Sequence, residues 1–120
     1  MRAEPREIKN IKQISEAMER VEKIKAMLSE NPTDSFLCHA LALEYIKLGN
    51  DNDARKLFES ILENEPGYIG SYYHLAKLLE RIGETNEAIK VYEKGMEEAK
   101  KVGDDHSLSE LRSAFEELTF

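Results

Sequence analysis

A single cysteine, Cys38, stands in a chain of 120 residues, so no internal disulfide can form. No apolar run approaches the roughly 18 residues that a membrane span requires, so no membrane association is expected. Met1 to Asn10 shows neither an apolar core nor a small-residue cleavage motif, so no signal peptide is read there. These absences make the cytoplasm the default location. Basic charge is also in short supply: 17 Lys and Arg face 24 Asp and Glu, for a net charge of −7. Neutralising phosphates needs a basic surface, so nucleic acid is not an expected partner. The deficit is sharpest near the end of the chain, where Arg112 alone faces Asp104, Asp105, Glu110, Glu116 and Glu117.

The chemistry of catalysis is missing as well. There is no glycine-rich phosphate loop. The three histidines, His39, His74 and His106, share no metal-ligand spacing, and two of them without a third ligand make a poor zinc site. Cys38 has no base on its own side of a helix, because adjacent His39 projects about 100° away. It reads as a packing thiol. The many glutamates, such as Glu97 and Glu98, read as solvated helix faces with no placed acid–base pair. No enzyme activity, cofactor or metal is expected.

What the chain does have is helical periodicity. Its apolar fraction of 41% and charged fraction of 34% suit a soluble, helix-rich domain. Ile8, Ile11, Ile14, Met18, Val21, Ile24 and Leu28 recur at spacings of three and four. This predicts an amphipathic helix over 7–30 that Asn31-Pro32 ends. Further helices are predicted over 34–48, 52–64, 68–82, 85–101 and 105–118. Thr33-Asp34, Asp51 and Thr85 are the expected caps, Gly49, Gly83 and Gly103 the expected stops, and Ser107 with Glu110 a capping box. No alternating strand pattern and no long polar linker appears.

The helices also repeat. Pro32 recurs as Pro66, Leu41-Ala42 as Leu75-Ala76, Gly49 as Gly83, Ala54 as Ala88 and Phe58 as Tyr92, each 34 residues on. A unit of this size is one helical hairpin that must stack on neighbours to bury its apolar face. Cys38, Leu41, Ala42, Tyr45, Gly49, Ala54, Phe58, Ile61 and Pro66 form one copy. Tyr72, Leu75, Ala76, Leu79, Gly83, Ala88, Tyr92 and Gly95 form the next. These residues resemble the tetratricopeptide repeat family of 34-residue helix–turn–helix units. Small residues at 42, 54, 76 and 88 let backbones approach, and the aromatics fill the space between hairpins. The chain departs from the pattern at Cys38, at the missing proline near Lys100, and at Arg20, where a small residue is expected.

The resemblance implies an all-α fold of antiparallel hairpins stacked as a short right-handed superhelix. A single domain over 1–120 would comprise an N-terminal cap (7–31), repeats at 35–68 and 69–102, and a C-terminal cap (104–119). It further implies a non-enzymatic module that holds a protein or peptide segment in a concave groove lined by the leading helix of each hairpin. The groove positions are Phe36, His39, Leu43, Ile46 and Lys47, then Tyr73, Lys77, Glu80 and Arg81. Helix 34–48 is apolar nearly all round, so its face at Phe36, Leu43 and Ile46 needs a cover. The cover is a bound peptide, a second copy of the chain, or residues 7–16 folded back. Lys47, Lys77 and Arg81 edge that face and would favour a partner with acidic groups; equally, they suit the last turns of helices electrostatically. The rival reading is a structural protein that forms a homodimer through the same face and the N-terminal helix.

Overall fold

The computed structural model describes residues 11–120, and every regular element among them is helical: α1 (Ile11–Leu28), α2 (Ser35–Lys47), α3 (Asp51–Asn64), α4 (Gly70–Arg81), α5 (Thr85–Val102) and α6 (Asp105–Thr119). The all-α class and the six-helix order are those expected from periodicity. The predicted start of the first helix at residue 7, with Ile8, lies outside the described residues. No helix among these is long and apolar enough to cross a membrane.

Local chemistry explains where the helices begin and end. Asp34 caps α2: its side chain accepts a hydrogen bond from the Leu37 amide at 2.9 Å. Asp104 caps α6 in the same way, accepting from the Ser107 amide at 3.0 Å. That bond holds the Asp104 carboxyl below the usual carboxylate range. The cap of α6 is therefore Asp104 rather than the Ser107 and Glu110 pair. Asn50 rather than Asp51 caps α3, its side-chain oxygen facing the Asp53 amide at 3.5 Å while its amide donates to Asp53 at 2.8 Å. Glu84 precedes α5 with no side-chain cap, and Thr85 is already helical. Gly49 and Gly83 both take left-handed backbone, φ 79° and 86°, where a Cβ would be strained. Asp34→Ala should remove a cap and cost about 1 kcal/mol, read as a lower denaturant midpoint with unchanged slope.

The chain forms two compact units whose boundary falls inside α3, after Leu57. In the first, α1 packs on α2 around Val21, Ile24 and Leu41, with Leu28, Leu37, Tyr45, Leu48 and Leu57 against them. Ala17, 2% exposed, is the small residue buried on α1. Arg20, which stands at the repeat's small position, is exposed and reaches out to an ion pair instead. In the second unit α5 packs on both α4 and α6. Its core joins Ile69, Tyr72, Ala76, Tyr92, Ala99, Leu111 and Ala114. Ala88 and Tyr92 are fully buried. Gly95 lies where α5 crosses Tyr72 of α4 and Leu111 of α6, and the Tyr72 hydroxyl donates to the Pro66 carbonyl at 2.6 Å.

Candidate functional site

The repeat resemblance places the expected binding residues on the two leading helices, α2 and α4, and each unit carries one of them. On α2, Phe36 opens the helix with 70% of its surface exposed. His39, Leu43 and Ile46 are half-buried and Lys47 is exposed. The apolar face thus presents one open aromatic and two partly covered aliphatic side chains. Cys38 is half-buried; burial, then the Asp34 carboxylate, pushes its thiol up, and its Sγ lies 4.0 Å from the Pro32 carbonyl. A thiol kept protonated is a poor nucleophile.

Next to this face sits a buried carboxylate absent from the expected set. Glu44 is 7% exposed, and its two oxygens meet Arg20 Nε at 3.1 Å and Lys47 Nζ at 3.2 Å. A buried carboxylate needs such partners to offset its desolvation. Two features of the sequence signal it: Glu44 is the only charge within the apolar run 36–46, and Arg20 stands where a small residue belongs. Lys47 consequently works first as Glu44's counter-ion. Beside this pair, Gln13, Ile14, Glu16 and Ala17 of α1 and Leu48 line a cleft of about 350 Å³.

On α4 the structure brings Tyr73, Lys77 and Glu80 together. Lys77 Nζ lies 6.0 Å from the centre of the Tyr73 ring and 3.8 Å from Glu80 Oε2. The same Glu80 oxygen accepts a short hydrogen bond from the Tyr92 hydroxyl of α5. Burial and this bond raise the Tyr92 phenol far above its ordinary range, so it stays a donor. Glu80 is thereby fixed by a neutral donor and a cation. Arg81 follows in the last turn and is exposed. His74 stacks on Phe58 with ring centres 6.2 Å apart and meets the Tyr73 ring edge-on at 5.8 Å. Burial lowers its pKa, so it adds no charge to this face at neutral pH.

The two faces thus expose aromatic and aliphatic surface beside Lys47 and Lys77, each paired with a glutamate on its own helix. Among the described residues no group of three or more His, Cys, Asp or Glu is placed to hold a metal ion.

The family model described as anaphase-promoting complex, cyclosome, subunit 3 matches residues 10–95. A tetratricopeptide repeat domain protein from Salinibacter ruber, solved by NMR, shares 43% identity and a TM-score of 0.71, covering 73% of this chain and 89% of its own. The TPR2B domain of yeast Sti1, solved in a complex with pHsp70, superposes with a TM-score of 0.80 at 17% identity, covering 88% of this chain and 84% of its own. PcrH, solved with the chaperone binding region of PopD, gives 0.79 at 13% identity, covering 89% and 81%. No curated protein matches.

Proposed function

This chain belongs to the tetratricopeptide repeat family, and we propose that it is a non-enzymatic, cytoplasmic interaction module that binds a protein or peptide segment through the outer faces of α2 and α4. The observation that carries the reading is Phe36, a large aromatic left 70% exposed at the head of a helix that is apolar on nearly every side. Two proteins of like fold, the Sti1 domain and PcrH, were solved with pHsp70 and with a region of PopD respectively, which supports a polypeptide as the class of ligand. Phe36, His39, Leu43, Ile46 and Lys47 would act on α2, and Tyr73, Lys77, Glu80 and Arg81 on α4, the leading-helix positions that this family uses for its concave groove. The organisation into repeats at 35–68 and 69–102 with flanking caps at 7–31 and 104–119 is part of this proposal.

Apolar contact supplies most of the affinity, at about 25 cal/mol per Å² before ordering costs. The cations set encounter rate and preference for acidic groups. Reversing Lys77 and Arg81 to Glu should therefore slow association with an acidic partner and flatten its salt dependence, with a smaller change in dissociation; stopped-flow measurements at several salt concentrations read this directly. The role itself is tested by affinity capture from the native cell with the parent chain and a Phe36→Asp, Lys77→Glu double variant. A partner retained by the parent and lost by the folded variant supports the proposal, and equal capture by both removes it.

A second reading draws on α1, where Ile11 and Met18 are 83% and 55% exposed and Ile14 is partly so. This stripe together with Phe36 would suit a homodimer. Sedimentation separates the two readings: mass rising with concentration favours self-association, and a concentration-independent monomer favours the peptide-binding role.

A further inference from the structure

Tyr92 of α5 is fully buried and joins Tyr72, Ala76 and Leu111 in the core of the second unit, so its ring cannot shift without repacking that unit. A buried phenol needs a partner for its hydroxyl, and this one donates to Glu80 Oε2 on α4. The phenol stays protonated. It is therefore a neutral donor, which stabilises the carboxylate without cancelling its charge.

The Lys77 ammonium approaches the same Glu80 oxygen, but only to 3.8 Å. Pairs with the same three-residue separation on other helices are closer: Lys47–Glu44 at 3.2 Å, Lys101–Glu98 at 3.3 Å, Lys94–Glu97 at 3.4 Å and Lys90–Glu87 at 3.6 Å. Lys77 also stands 6.0 Å from the centre of the Tyr73 ring, within reach of cation–π attraction. Its charge is thus held loosely, between a ring and an oxygen that Tyr92 already occupies. The internal repeat points the same way. In the preceding copy Phe58 stands for Tyr92, and there Ile46 stands for Glu80 and Leu43 for Lys77. Where the hydroxyl is absent, the carboxylate and the cation are absent too, so the three polar side chains form a set.

We infer, on the reading of α4 as a binding face, that Tyr92 is a positioning residue for it: the hydroxyl holds Glu80 toward α5 and leaves the Lys77 charge open to an acidic group of a partner. Tyr92 itself, being fully buried, touches no partner. Without the hydroxyl, the half-buried Glu80 carboxylate still needs a donor. Adjacent Arg81 projects about 100° away around α4. Lys77 lies on the same side of the helix, three residues back, and closes onto the carboxylate. The ion pair tightens and the cation is quenched.

The test needs no partner. The full chain is acetylated briefly with acetic anhydride, and the rate at Lys77 is read by peptide mass spectrometry against exposed Lys23 and Lys56 in the same sample. Lys77 should react about twofold more slowly in Tyr92→Phe than in the parent, the strength of an ion pair at this spacing. In a Glu80→Gln background, Tyr92→Phe should leave the rate unchanged. A purely structural role has the opposite sign, because loosened packing of α4 on α5 exposes Lys77 and speeds its reaction. A second measurement uses the parent alone: the Tyr92 hydroxyl proton should exchange slowly enough to show a nuclear Overhauser contact with the Glu80 side chain. Faster or unchanged acetylation of Lys77 in Tyr92→Phe, an equal slowing in the Glu80→Gln background, or no such contact in the parent would each overturn the inference. Acetylation involves no ligand, so its failure leaves the α4 binding face standing, and a failure of partner capture leaves the acetylation result standing.

Discussion

Gly95→Ala loses about 1–3 kcal/mol of stability, the cost of forcing volume into a packed interior, even though alanine is the better helix former by up to about 1 kcal/mol. A Cβ built at Gly95 comes within 2.7 Å of Tyr72 Cβ, 2.9 Å of Tyr72 Cγ and 3.2 Å of Leu111 Cδ1. The first two atoms are the stiff base of a side chain and move only if α4 moves. Tyr72 is further tied through its hydroxyl to the Pro66 carbonyl, which restricts how it can yield. Thermal and urea unfolding check this, with a lowered midpoint as the expected result. A midpoint equal to the parent's would mean that α4 and α5 do not cross this closely.

Leu43→Asp abolishes partner binding while the chain stays folded. Leu43 is half-buried on the α2 face, so a carboxylate there keeps access to water in the free protein. Once a partner covers it, the charge has no counter-ion: Arg20 and Lys47 are already committed to Glu44. An uncompensated buried charge costs several kcal/mol, enough for a loss of at least about a hundredfold in affinity. Circular dichroism confirms the fold and calorimetry reads the affinity. A folded Leu43→Asp protein that binds a verified partner as tightly as the parent would move the site off α2.

The helices and their order were legible because apolar spacing is a property of the chain itself, and the left-handed stops at Gly49 and Gly83 because few other residues tolerate that backbone. Capping was legible only in part. Asn50 and Asp51 have nearly identical capping chemistry, and which one caps is decided by the turn that delivers the chain to α3, not by the side chain. At α5 the residue before the helix is Glu84, whose side chain makes no cap, and Thr85 is already helical. Arg20 occupied a small-residue position because α1 buries Ala17 instead and sends Arg20 toward Glu44. A 34-residue pattern carries no record of such a compensating pair.

The candidate faces were legible as lists of residues but not as charge. Lys47 and Lys77 read as a basic edge in the sequence, yet each has a glutamate three residues away on its own helix, Glu44 at 3.2 Å and Glu80 at 3.8 Å. Spacing alone offers those pairs. Only coordinates show that Tyr92 reaches across from α5 to hold Glu80, or that burial keeps His74 neutral.

Amide chemical-shift mapping of the labelled chain during titration with a segment of a captured partner tests the central claim most directly. Perturbations should fall on residues 36–47 of α2 and 73–81 of α4 and vanish in the Leu43→Asp variant. Perturbations that leave both stretches unmoved and gather instead on α6 would contradict the account.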